Sequence, residues 1–289
     1  MAIKNRYDFM MLFDVENGNP NGDPDAGNSP RIDPETNIGI VTDVCLKRKI
    51  RNYVNITKKD EEGFDILIKP DKALNDKFEE AYDACGLKKG QKEKNKYSKD
   101  AMTAQKYLCR RYFDVRTFGA VMSVGDNQCG IIKGPVQIGF GKSVSPIRIL
   151  DMSITRQAMT TAKDFEEKGG HTMGNKTAIP YGLYISKGHI SAAQANQVTD
   201  MSEEDVNILW NAIINMFEED HSAARGEMCM RKLIIFKHDS ELGDCPAWML
   251  FDKVHISLKN EGTVPSAYSD YDITIDNDMP SGVELIEKL

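Results

Sequence analysis

Nowhere does the chain hold about 18 consecutive apolar residues, the length that a membrane-crossing helix requires. The opening residues, Met1 to Arg6, contain no apolar stretch of the kind a secretory signal carries. A cytoplasmic protein without a membrane partner is therefore expected. The six cysteines stand at 45, 85, 109, 129, 229 and 245 with no C-x-x-C pair among them, which excludes a zinc ribbon or a thioredoxin-type motif. In a cytosolic chain they are expected as free thiols. The five histidines, at 171, 189, 221, 238 and 255, show no H-x-x-x-H spacing, so no metal and no other cofactor is expected. A G-x-G-x-x-G fingerprint is missing, which leaves a dinucleotide fold unsupported. Gly141-Lys142-Ser143 imitates the end of a phosphate-binding loop, but Val136 occupies the position of its first glycine. Asn17 to Asn28 imitates a calcium loop, yet it starts on Asn and is interrupted by Pro20. It also ends on Asn28 where a Glu is needed.

What is present is an ordinary globular composition: 289 residues, 40 % hydrophobic and 28 % charged, with a net charge of −7. The charge is uneven. Residues 43–111 hold 18 Lys and Arg against 12 Asp and Glu, so the rest of the chain is strongly acidic. An acidic protein lacks the usual footprint of a non-specific nucleic-acid binder. A local phosphate groove remains compatible with it, because charges more than about 8 Å away are screened at physiological salt.

Residues 6–16 place Tyr7, Phe9, Met11, Phe13 and Val15 on one face and Met10 and Leu12 on the other. This is the pattern of a central strand buried on both sides. Residues 17–39 follow as a long structured loop rich in Asn, Asp, Gly and Pro. Thr42-Asp43 opens a helix through about Val54, with Leu46, Ile50, Tyr53 and Val54 on one side and Lys47, Arg48 and Arg51 on another. A short strand is predicted at 64–68 and helices at 71–85 and 98–113, around a lysine-rich loop at 88–99. Further strands are predicted at 131–140, 147–156 and 177–187, with a polar tract at 157–176 read as a long protruding hairpin or a flexible arm. Ser202 and Asp205 resemble a capping box before a helix to Asp220, in which Val206, Leu209, Trp210, Ile213 and Phe217 share a face. Strands at 231–237, 253–258 and 271–275 complete the chain. The fold class is α+β: helices on one face of a mainly antiparallel sheet, with a ferredoxin-like core carrying insertions at 56–112 and 157–176.

Two sets of residues are candidates for function. Asp14, Glu16, Asp23, Asp25 and Asp33 crowd one stretch, as a metal-dependent ribonuclease would want, although acids in such loops more often serve local turns. The stripe Lys47, Arg48 and Arg51, preceded by Arg31, can neutralise several phosphates beside an Asn-rich loop. Glu218 to Glu227 reads as a helix end tied down by local ion pairs.

Five strings, taken together, resemble the backbone subunit of type I CRISPR surveillance complexes, and within them the type I-C branch of Cascade. They are NGNPNGDP at 17–24, TDVCLKRKIR at 42–51, DVRTFGAVMS at 114–123, PYGLYI at 180–185 and HSAARGEM at 221–228. The resemblance implies a prokaryotic member of the repeat-associated superfamily. Its palm is RRM-like (1–55, 113–156 and 177–289), with helical fingers at 56–112 and a thumb hairpin at 157–176. It implies a non-enzymatic subunit that stacks on further copies of itself along CRISPR RNA and presents the guide to a target DNA strand. The other partners it implies are a guide-processing endonuclease subunit, a large target-recognition subunit and a recruited helicase–nuclease. By position, Lys47, Arg51, Arg48 and Arg31 grip the guide, and Arg116, Phe118, Gly119 and Met122 form a loop beside it. In the thumb, Arg156, Met173 and Lys176 displace a nucleotide. Type III cousins cut RNA with a loop aspartate, a role the type I resemblance argues against for Asp23, Asp25 or Asp33.

Overall fold

In the computed structural model, residues 1–89, 98–123, 127–156 and 172–289 are described. The chain runs from β1 (Tyr7–Gly18) through a two-residue ladder of β2 (Gly22–Asp23) and β3 (Ser29–Pro30) to β4 (Ile38–Val41) and helix α1 (Asp43–Thr57). Helices α2 (Leu74–Ala84), α3 (Lys99–Arg111) and α4 (Phe113–Phe118) follow, then strands β5 (Gly119–Met122), β6 (Gly130–Lys133), β7 (Val136–Ile138), β8 (Gly141–Pro146) and β9 (Leu150–Arg156). Strand β10 (Thr172–Ile190), α5 (Glu203–Asn215), β11 (Glu227–His238), α6 (Ala247–Phe251), β12 (Val254–Leu258), β13 (Tyr271–Ile275) and β14 (Val283–Lys288) complete it.

Strand β1 is central, with every residue from Tyr7 to Val15 buried. It pairs antiparallel with β10 on one side and with β11 on the other. The large sheet follows the order β14-β11-β1-β10-β8-β4, with β7 and β9 also paired to β10, and every pairing in it is antiparallel. The odd-numbered residues of β1 pack with Leu46, Ile50 and Val54 of α1 and Val206, Leu209, Trp210 and Ile213 of α5. Trp210 stands edge-on to Tyr7 and Phe9, at 5.9 and 5.1 Å between ring centroids. Met10 and Leu12 face the other way, onto Ile234, Phe236, Leu250 and Phe251. The residues after β11 therefore cover the sheet face that the helices leave open. A further core, with Leu67, Phe78, Tyr82 and Leu108, joins α2 and α3 to the β5–β6 hairpin.

Helix α5 is capped as its sequence indicates: the Ser202 hydroxyl accepts from the Asp205 N–H, and the Asp205 carboxylate accepts from the Ser202 N–H. The helix ends at Asn215, short of the expected Asp220. Residues 64–68 are not a strand. The N–H groups of Leu67 and Ile68 donate to the buried Asp114 carboxylate at 2.8 and 3.2 Å, leaving a single bridge from Asp65 to Tyr112. Gly141-Lys142-Ser143 lies in β8, Lys142 and Ser143 paired with Ile185 and Tyr184, an extended geometry unlike a phosphate-cradling loop. The hairpin expected around 157–176 has a stem seven pairs long, Leu150–Arg156 against Thr172–Ala178. Residues 157–171 lie outside the described part.

Candidate nucleic-acid interface

The N-terminus of α1 opens onto a cleft of about 330 Å³ between the 20–31 loop, the first two turns of the helix and the 220–225 segment. Thr42 caps the helix, its hydroxyl accepting from the Cys45 N–H at 3.4 Å. Thr42 is fixed in turn by Asn21, whose Oδ1 accepts from the Thr42 N–H and hydroxyl, each at 2.9 Å. This lock holds the Asn/Pro-rich loop against the helix end. Among the described residues, the lining includes Arg31, Arg48, Lys49 and Arg225 against the one acid Asp220, with no aromatic side chain. The positive end of the helix dipole adds to the field.

The four cations are not equally free. Arg48 is exposed, with one long contact of 3.5 Å to the Ile68 carbonyl. Arg31 pairs with Asp23 at 3.3 Å, and its Nε is buried without a partner. Lys49 is 2 % exposed and its ammonium is bound to Asp220, which also takes Arg225. Burial pushes the Lys49 ammonium below its ordinary range, and Asp220 opposes that shift. Outside the cleft, Lys47 and Arg51 lie over the Phe118 ring, 5.7 and 5.3 Å from its centroid. Lys47 is held by Asp43 and Arg51 by Asp114, both at 2.8 Å. These two leading candidates are thus engaged within the chain, while Arg31 and Arg48 face the cleft.

The family model described as CRISPR-associated protein Cas7 matches residues 5–276. The chain belongs to the Cas7 family. One relative, the CRISPR-associated protein Cas7 of Haloferax volcanii, is 26 % identical over 242 residues. That match covers 74 % of this chain and 66 % of the relative, so this chain spans just under two thirds of its length. Among solved structures, a chain of a CRISPR RNA-guided surveillance complex, pre-nicking, is similar with a TM-score of 0.52 at 13 % identity. It covers 80 % of this chain and 78 % of the other, and the likeness is one of fold.

In this Cas7-family chain the segment expected beside the guide is largely interior, which corrects two of its members. Arg116 is buried: its Nε and Nη2 donate to Asp205 at 3.1 and 2.7 Å, and its Nη1 donates to the carbonyls of Gly63 and Cys109. Its guanidinium is wedged between the Phe64 and Phe113 rings. Met122 is fully buried in the core shared with α2 and α3. Phe118 is mostly covered and serves as the platform under Lys47 and Arg51. Gly119 has a φ of 78°, and a Cβ there would meet the Ile132 carbonyl at 2.3 Å, so its close approach is to β6. In the hairpin stem Lys176 is half-buried opposite Met152. Arg156 and Met173 occupy paired positions of the stem, but their side chains lie outside the described part.

The acids near the N-terminus do not converge. Asp14 lies inside the sheet, accepting from the Tyr181 hydroxyl at 3.1 Å and from Arg231 at 2.9 Å, and burial raises its pKa. Glu16 lies near the end of β1 as an exposed residue. Asp23 holds Arg31 and accepts from the Asp25 N–H, while Asp33 accepts from the N–H groups of Glu35 and Thr36. Those backbone donors draw the Asp33 carboxyl below its ordinary range. No group of three potential ligands among the described residues is arranged around a metal position. Arg225 escaped the sequence reading as a cleft residue, because Arg31, Arg48 and Lys49, beside which it lines the cleft, are distant in sequence.

Proposed function

We propose that this chain is a non-enzymatic backbone subunit of an RNA-guided antiviral interference complex, of the type I-C branch of Cascade, that binds CRISPR RNA by its sugar–phosphate strand. The observation that carries this reading is the cleft at the start of α1: it is lined by cations and, among the described residues, offers no aromatic platform for a base. Single strands read for sequence are stacked on aromatic side chains, whereas strands gripped regardless of sequence are held through phosphate and ribose. The sheet face that an RRM uses for stacking is covered here by Leu250, Phe251 and their neighbours, which leaves the helix side for the guide.

In this reading the strand order β11-β1-β10-β8, with α1 and α5 on one face, is the ferredoxin-like palm. The insertion with its own core is the fingers, and the β9–β10 hairpin is the thumb. Arg31 and Arg48 take guide phosphates, with Lys47 and Arg51 beside them, and Arg156, Met173 and Lys176 act from the thumb. Copies stack head to tail, a heterologous contact that does not close and so forms a filament whose length the RNA sets. Sequence is read by pairing of the guide with target DNA. The guide-processing endonuclease subunit and the large target-recognition subunit complete the complex, and a recruited helicase–nuclease cuts. The test is purification of the full chain with its CRISPR RNA co-expressed. The reading predicts an assembly of many copies holding RNA of discrete length, and no cleavage of labelled RNA when magnesium is added. A monomer free of nucleic acid, or magnesium-dependent cleavage lost on Asp→Asn substitution, would overturn it.

A further inference from the structure

The cleft receives a third arginine from a segment distant in sequence from the other two. Arg225 arrives from the turn after α5, and the chain goes to unusual lengths to place it. The Asn19 N–H donates to the Ala224 carbonyl at 2.8 Å. Gly18 lies so close to this turn that a Cβ there would sit 1.7 Å from the Arg225 carbonyl oxygen. Gly226 takes a φ of +65°, and a Cβ on it would meet the Glu16 carbonyl at 2.4 Å. The backbone of residues 224–226 is therefore pressed onto the end of β1, which only small residues allow.

The side chain is aimed by a second device. Arg225 Nη1 donates to the Asp220 backbone carbonyl at 3.1 Å and to its carboxylate. The other carboxylate oxygen is held by Lys49, which is 2 % exposed and lies 5.4 Å from the centre of the Phe217 ring. Asp220 is 9 % exposed, whereas Arg225 is 40 % exposed and lines the cleft with Arg31 and Arg48. A surface ion pair needs no buried lysine beneath it. A buried lysine that fixes one oxygen of Asp220 turns the other toward the arginine and leaves Arg225 Nε and Nη2 for a ligand.

We propose that Arg225 holds a phosphodiester of the bound RNA strand together with Arg31 and Arg48, and that Asp220, anchored by Lys49, is the residue that positions it. This rests on the reading of the cleft as an RNA-backbone site. The ligand chemistry is a single phosphate of a single-stranded RNA, approached by three guanidinium groups from three separate segments. Arginine suits this position because its planar fork can hold a carboxylate on one edge and a phosphate on another.

The experiment measures binding of a fluorescent single-stranded RNA of mixed sequence to the full chain across a range of salt concentrations. Arg225→Ala is expected to weaken binding about tenfold and to reduce the slope of log affinity against log salt by about 0.7, the loss of one phosphate contact. Arg225→Lys should restore most of the slope. Asp220→Asn gives the sharper result, because it makes the cleft more positive. Were Asp220 a simple neutraliser, binding would tighten; as a positioning residue it predicts weaker binding, with no further loss on adding Arg225→Ala. The thermal midpoint of each variant shows whether it is folded, and the exposed Arg225 variants keep the test open if Asp220→Asn does not fold. An unchanged slope in Arg225→Ala, or tighter binding by folded Asp220→Asn, would overturn the inference while leaving the cleft as an RNA site. Wild-type binding that is absent or indifferent to salt would overturn the reading of the cleft itself, and this inference with it.

Discussion

Replacing Arg116 by Met separates a fold-holding arginine from a ligand-holding one. The guanidinium is buried, satisfied by Asp205 and the backbone carbonyls of Gly63, Cys109 and Arg110, and stacked between two aromatic rings. Methionine keeps much of the packing volume but leaves the Asp205 carboxylate, 5 % exposed, without its opposite charge. The Ser202 N–H and hydroxyl still satisfy one Asp205 oxygen, at 2.9 and 3.0 Å, so the loss concentrates on the other. Removing one partner of such a pair costs about 3–5 kcal/mol. A chain of this length loses about 2 °C of melting temperature per kcal/mol, which places the expected fall at roughly 6–10 °C. Scanning calorimetry or urea titration reads it directly. RNA binding by the folded fraction at 20 °C should be unchanged, because the side chain does not reach the cleft. A variant that melts within 2 °C of wild type yet has lost its RNA would refute the placement of Arg116 in the interior.

Other predictions concern the sheet and the cleft wall. Asp8 is fully buried. Burial opposes its charge, but hydrogen bonds from His189 and His238 and the nearby Arg6 outweigh that and hold its carboxyl below the ordinary 3.8. The unfolded chain then binds the proton more readily, so the stabilisation is complete above pH 3.8 and lost as pH falls through the lower folded value. Asp8→Asn should therefore be clearly less stable than wild type at pH 7, with the gap narrowing below about pH 4; a gap independent of pH would contradict this. Gly18→Ala should cost about 1–3 kcal/mol by overpacking against the Arg225 carbonyl and weaken RNA binding by moving the turn. Wild-type melting behaviour in that variant would show that the close approach is not as described.

Much of this architecture could be read from residue order, and the exceptions share a cause. Strand β1 was legible because it places large apolar residues on both faces, and α5 because its cap and apolar stripe are local signals. Strand β4 was hidden in an Asn- and Pro-rich stretch, since its four residues are extended through pairing with β8 and a bridge to Ile32. The charges of β14, at Glu284, Glu287 and Lys288, concealed an edge strand paired with β11. The expected strand at 131–140 divides into β6 and β7 at Gly134-Pro135, where the proline has no N–H for a ladder. At the site, helical periodicity exposed Arg48 but could not show that Lys47 and Arg51 would be tied to Asp43 and Asp114. The ion pair expected near Glu218 to Glu227 is present as Asp220 with Arg225. Its deeper half is Lys49, from the buried side of α1, and no spacing rule links the two. Periodicity assigns a side chain to a face; long-range ion pairs decide whether its charge is still free.

The most direct measurement is the salt dependence of affinity for two single-stranded RNAs of equal length and unlike base composition, in wild type and in Arg31→Ala/Arg48→Ala. Equal affinities for the two RNAs, together with a slope lower by about 1.4 in the double variant, are the predicted result. A strong preference for one composition, or a slope untouched by removing both arginines, would contradict the claim that this cleft grips the strand by its phosphates.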